Sequence, residues 1–149
     1  ILGYLIWLSD LPGDVQERIA ARLRFARPLC TMLEDLNNLS SHLDDLMDSS
    51  ISQAAGILDG YSMVSIYAAW CFHRDDTVGE ILKKYAGEWR HVRTCSDGRD
   101  LMQLGITPGP AYREILGELR AAWLDGRVRS KEEEKELLVR LVEAWKDRE

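Results

Sequence analysis

The sequence has no alternating apolar and polar run that would form a half-buried strand, and no internal repeat. Sheets, barrels and repeat arrays are therefore excluded. No apolar run approaches the roughly 18 residues a membrane-spanning helix needs. Residues 1–8 are apolar, but they are too short to span and lack a basic leader. They read as the end of a buried helix rather than a signal peptide. Three cysteines, Cys30, Cys71 and Cys95, lie far apart with no Cys-x-x-Cys pair. That argues against a zinc site or a disulfide framework and for free thiols in a reducing cytoplasm.

A basic excess is also missing. Nineteen Lys and Arg stand against 25 Asp and Glu, a formal net charge of −6, whereas nucleic-acid binders usually lean on a positive face. There is no Asp-x-Asp pair to hold catalytic metal ions. Asp44-Asp45 and Asp75-Asp76 are adjacent pairs; on a helix neighbouring residues point about 100° apart, so Asp44 and Asp45 are poorly placed to share one ion. His42, His73 and His91 are scattered, and no Ser-His-Asp or Cys-His arrangement has supporting spacing. His73-Arg74-Asp75 has the residues of a kinase catalytic loop, but nothing else of a kinase is present. No catalytic residue and no metal ligand is expected. The chain opens on Ile1 rather than Met, and is expected to start inside a longer protein.

What is present is helix. The 149 residues are 46% hydrophobic and 30% charged, enough for one sizeable core or two small helical units. Ser9-Asp10 and Pro12-Gly13 break the first helix. The next carries Val15, Ile19, Leu23 and Ala26 on one face, and Pro28 separates it from its successor. Leu29, Met32, Leu33, Leu36, Leu39, Leu43 and Leu46 predict one amphipathic helix over 29–47 with an acidic outer face. A short helix over 51–58 stops at Asp59-Gly60. The stretch 63–72 is apolar nearly all round and reads as the central buried helix. Asp75 or Asp76 caps a helix over 77–92, whose last turn, with Arg90, His91 and Arg93, complements the helix dipole. Helix 109–124 ends at Asp125-Gly126, and Ser130 with Glu133 forms a capping box for the last helix. That helix buries Leu137, Leu138, Leu141, Val142 and Trp145. The fold class is all-α, a bundle of about eight helices. Residues 1–94 form a body and 95–149 a smaller terminal unit.

The segment 98–110 carries more information than helix alone. Leu101 and Leu104 lie one turn apart and can be buried together. Gly105 stops that short helix in a left-handed conformation. Thr107 is placed to cap the next helix, and Pro108 or Pro110 suits its first turn. Gly109 leaves the turn without a side chain, so the helix presents bare N–H groups to which a phosphate could bind.

Gly98-Arg99-Asp100-Leu101, Leu104-Gly105, Pro108-Gly109-Pro110, Leu116 and Leu124-Asp125-Gly126 resemble the C-terminal region of the bacterial tRNA nucleotidyltransferase and poly(A) polymerase family. The resemblance covers residues 98–134. Upstream, Leu11-Pro12, Glu17-Arg18-Ile19 and Arg22-Leu23 fit the family's middle region loosely. The family often has a Gly at the third position after Pro-Gly-Pro, where this chain, with Ala111-Tyr112-Arg113, has Arg113. The resemblance implies a helical C-terminal fragment that clasps a tRNA or other RNA 3′ end. An N-terminal head outside this chain would add the nucleotides, using magnesium and ATP or CTP, so no cofactor is expected in the chain itself.

On that reading the RNA-binding residues are Arg99, Gly109, Arg113, Arg120, Arg127, Arg129 and Lys131, acting on shape and phosphate rather than base sequence. The chain's own catalytic head and a second copy, as a homodimer, are the other expected partners. The location is cytoplasmic, without membrane. Two other readings come from the same residues. Leu101-x-x-Leu104-Gly105-Ile106-x-Pro108-Gly109 also resembles part of a helix-hairpin-helix DNA-binding unit, although Thr107-Pro108 stand where that motif has a glycine. Five tryptophans and the acidic cluster of Glu34, Asp35, Asp44, Asp45 and Asp48 suit a helical protein-interaction or dimerisation scaffold.

Overall fold

The computed structural model describes residues 3, 7, 8, 11–73 and 76–147, with Phe72 described in backbone only. The described residues are all-helical and without strands, as their periodicity requires. There are nine α-helices among them: α1 (Gly13–Arg22), α2 (Arg27–Ser41), α3 (Leu43–Asp48), α4 (Ile51–Leu58), α5 (Met63–His73), α6 (Thr77–Gly87), α7 (Gly98–Gln103), α8 (Pro110–Leu124) and α9 (Lys131–Lys146). A 3-10 turn, Trp89–His91, follows α6. Of the first eight residues, Gly3, Trp7 and Leu8 are described, and they are helical. The expected break at Ser9-Asp10 and the Arg74-Asp75 loop lie outside the described residues.

The chain divides into two compact units, Ile1–Ser49 with Gln53–Arg90, and Ser50–Ser52 with His91–Glu149. In the first, α5 packs against α2 and α6, and α3 packs against α2 and α6. The core comes from Leu33, Leu36 and Leu39 of α2, Leu46 of α3, Ile66, Ala68 and Ala69 of α5, and Val78, Leu82 and Tyr85 of α6. Ser65 is buried among them without an orphaned hydroxyl, since it bonds Ser62 at 2.8 Å and the Met32 carbonyl at 3.3 Å.

Three boundaries in this unit differ from the sequence expectation, each for a local reason. The first helix ends at Arg22, because Arg24 takes a left-handed φ of 50° and Phe25 N–H reaches back to Ala20 O. This is a glycine-type stop made by an arginine. Leu23 is left exposed, while Gln16 is buried and bonded to Leu11 O and Asn37. The leucine helix over 29–47 splits at His42. Ser40, Ser41 and His42 all turn their side chains back onto carbonyls of the last turn, an alternative to continuing the helix. Helix α6 ends at Gly87, so Arg90 and His91 lie in the 3-10 turn and Arg93 beyond it, none of them in its last turn. Asp76 is its cap, accepting Gly79 N–H at 2.8 Å.

The second unit has its own core. Leu101, Ile106, Ala111, Ile115, Leu119, Leu138 and Val142 are buried together, with Leu104, Tyr112, Leu116, Leu137, Leu141 and Trp145 packed around them. Helices α8 and α9 pack along each other, and the apolar stripe read from the sequence of α9 faces that contact. Ser52 belongs to this unit through Asp125, whose carboxylate accepts its N–H at 2.9 Å and its hydroxyl at 2.8 Å.

Candidate nucleic-acid interface

The segment 98–110 is held by three local devices. Asp97 and Asp100 form a reciprocal capping box at the start of α7: Arg99 N–H donates to Asp97 at 2.7 Å, and Asp97 N–H donates to Asp100 at 2.8 Å. Gly105 then ends α7 with φ of +85°, and Ile106 N–H bonds Leu101 O, so the chain turns back into the core at Ile106. Lys146, from the end of α9, donates to Leu104 O at 2.7 Å and satisfies a carbonyl at that terminus.

The next turn is built differently from the expectation. Gly109, not Thr107, occupies the cap position of α8. It has extended backbone and no side-chain bond, and Pro110 takes the first helical turn. A Cβ on Gly109 would meet nothing closer than Thr107 O at 3.9 Å. The protein's own packing therefore does not demand glycine there. Gly109, Pro110, Arg113 and Glu114 line an open depression of about 450 Å³.

Tyr112 ties this turn to α7. Its hydroxyl donates to Ile106 O at 3.2 Å, and its ring lies where a Cβ on Gly98 would be, 3.0 Å from Cε2. The missing side chain of Gly98 is what lets the ring approach. Arg99 and Arg113 are the chain neighbours of these two residues, so both flank one contact, and both are exposed.

The start of α9 joins the same loop through Glu134, a residue that the sequence pattern did not single out. Glu134 is fully buried. It accepts N–H bonds from Cys95 at 2.8 Å and Ser96 at 2.6 Å, and a short bond from the indole Nε1 of Trp123. Burial alone would push its carboxyl up. The bonds from Ser96, Cys95 and Trp123 outweigh that and hold it below the usual glutamate value. Ser130 caps α9 by accepting Glu133 N–H at 3.1 Å. Glu133 reaches back to Arg129 N–H at 2.7 Å rather than to the cap residue, so the expected box closes one residue early. The only prior sign of Glu134 was a third glutamate in a first turn that needs one.

The seven expected binding residues thus fall into two groups. Arg99, Gly109, Arg113, Arg129 and Lys131 are exposed. Among the described residues, none of the four cations in that group has a carboxylate within ion-pair distance. Arg127 is exposed but engaged, 3.0 Å from Glu118 and 3.9 Å from Asp125. Arg120 is half-buried with its Nε enclosed. The charge is uneven along the chain: residues 91–149 hold eleven Lys and Arg against twelve Asp and Glu. Nearly all of the acidic excess belongs to residues 1–90, so the net charge of −6 does not describe this unit. Among the described residues there is no cluster of metal-ligating side chains, and no helix is long and apolar enough to cross a membrane.

Over 71 residues the chain is 37% identical to an A-adding tRNA nucleotidyltransferase of Geobacter sulfurreducens. The aligned part is 48% of this chain and 8% of that enzyme, so the chain spans a small fraction of the relative's length. This supports a relation to that family over part of the chain. No protein-family model and no solved structure matches.

Proposed function

We propose that the chain is the RNA-holding helical part of a tRNA nucleotidyltransferase or poly(A) polymerase. It grips the tRNA or another RNA 3′ end, while nucleotide addition, with its magnesium and ATP or CTP, belongs to a catalytic head outside this sequence. The observation that carries the reading is that Arg99, Arg113, Arg129 and Lys131 are all exposed and, among the described residues, free of ion pairs, in a unit that is nearly charge-balanced. The partial identity to an A-adding enzyme supports it. Arginine side chains at fixed spacing bind phosphate oxygens without reading bases, which suits an enzyme part that must accept many tRNA sequences. Arg99, Arg113, Arg129 and Lys131 are the principal contacts. Arg127, held by Glu118, and the half-buried Arg120 support the surface, and Gly109 leaves room for a backbone to approach.

The test is binding of the 149-residue chain to a folded tRNA at low and physiological salt, with a duplex DNA of equal length beside it. The expected result is tRNA binding that weakens with salt, as counterion release requires, and that is lost in an Arg99→Ala/Arg113→Ala/Arg129→Ala variant. Equal or tighter duplex binding would replace this reading with the helix-hairpin-helix one. Self-association without nucleic-acid binding would replace it with the scaffold.

A further inference from the structure

We infer that Glu134 is a positioning residue for RNA: by clasping the backbone of Cys95 and Ser96 it sets Arg93 and Arg99 on the same phosphate track as Arg129 and Lys131. The inference rests on the RNA-holding function proposed above, and it adds two residues to it, Glu134 and Arg93.

The clasp is an unusual use of a charge. A fully buried carboxylate is costly unless its oxygens are filled, and an apolar residue at this point of α9 would continue the stripe of Leu138 and Val142. Among the described residues, no cation pairs with this negative charge. Two successive backbone N–H groups, one indole N–H and the positive end of α9 balance it. Arg129 and Lys131, within five residues of Glu134, are therefore not drawn into an internal ion pair. They stay exposed beside a neutralised carboxylate.

The geometry of the loop follows. Cys95 and Ser96 lie between Arg93 and Arg99, and both of those arginines are exposed. Ser96 is itself buried, and its carbonyl accepts the Thr94 hydroxyl at 2.8 Å. Asp97, the next residue, caps α7. Fixing residues 95 and 96 against α9 thus fixes Arg93 on one side, and the start of α7 with Arg99 on the other. Without the clasp Arg93, and the entry of the chain into α7 just before Arg99, would be carried on a loop with its own freedom, and their ordering would have to be achieved on binding.

A double-mutant cycle tests this. Glu134→Gln keeps the shape of the side chain but sets an NH2 group against N–H donors. Folded tRNA is titrated with the 149-residue chain, its Glu134→Gln variant, an Arg93→Ala/Arg99→Ala variant and the triple variant, each over a range of salt. The expected result is that Glu134→Gln weakens binding about tenfold. It also lowers the dependence of log K on log salt by about one to two, since each lost phosphate contact removes roughly 0.7–0.9. In its background the arginine changes add little. Hydrogen exchange over residues 93–97, measured without RNA, rises in the same variant.

An unchanged salt slope with additive effects would overturn the inference and leave Glu134 as a purely structural group. If Glu134→Gln does not fold, Trp123→Phe, which removes one donor, takes its place in the cycle with the same expectations at smaller size. Failure of the unaltered chain to bind tRNA overturns the proposed function and this inference with it. Binding by the unaltered chain with no coupling overturns the inference alone.

Discussion

The carboxylate of Glu134 accepts the backbone N–H of Ser96 at 2.6 Å, across 38 residues of sequence. This bond joins the start of one helix to the loop before another. With the bonds from Cys95 and Trp123 it makes Glu134 the polar centre of the second unit.

Replacing Glu134 by Ala orphans two buried backbone donors and one indole at once. The expected loss is roughly 3 kcal/mol, the scale found when one partner of a buried charged network is removed. Urea unfolding followed by tryptophan fluorescence reads it. A loss under about 0.5 kcal/mol, the range of ordinary surface changes, would show that the clasp does not support the fold.

The same group sets an acid limit. Burial pushes its folded carboxyl up, but hydrogen bonds from Ser96, Cys95 and Trp123 outweigh that and hold it below the usual glutamate value. A depressed folded value means that ionised Glu134 contributes stability above its unfolded pKa, and that this contribution is lost as pH falls through the folded one. Stability of the unaltered chain should therefore drop on acidification from pH 5 downward, and the drop should be shallower in Glu134→Gln. Parallel stability-versus-pH curves for the two proteins would refute this.

Gly98→Ala is a test of the Tyr112 contact. The added methyl would lie 3.0 Å from Cε2 and 3.2 Å from Cδ2 of the ring. Alanine gains up to about 1 kcal/mol of helix propensity over glycine, but the ring is tethered by its hydroxyl to Ile106 O and yields poorly. A net loss of about 1 kcal/mol is expected from such overpacking. In a Tyr112→Phe background, where the tether is gone, the same change should cost less. Equal cost in both backgrounds would mean that the tether is not what resists.

Gly105 and Gly109 should separate in a thermal melt. At Gly105, φ of +85° makes any Cβ strained, so Gly105→Ala should cost about 1–2 kcal/mol. At Gly109 the backbone is extended and the space open, so Gly109→Ala should stay within about 0.5 kcal/mol of the unaltered chain. With stability unchanged, any loss of tRNA affinity in Gly109→Ala reports on the interface itself. Strong destabilisation by Gly109→Ala would contradict the open geometry.

Much of the helical order was legible because local chemistry decides it. The span 51–58 and its stop at Asp59-Gly60, the left-handed Gly105, Pro110 in a first turn and the stop at Asp125-Gly126 all follow from residue type and 3.6-residue spacing. The apolar stripes of α8 and α9 were readable for the same reason. Boundaries set by uncommon choices were not. Arg24 stands where a glycine is usual, and three polar side chains before Leu43 end a helix that the leucine repeat would have continued.

The sequence by itself determined that this protein is helical, where most helices begin and end, and which faces turn inward. Periodicity and capping are properties of neighbours along the chain, so they need no fold to be read. Only the tertiary structure decided that Glu134 is buried, that Tyr112 closes on Gly98, that Arg127 is engaged by Glu118, and that Arg99 and Arg113 flank one contact. Those relationships join residues that are between 9 and 39 positions apart. What brings them together is the packing of one element on another, and no local pattern records it.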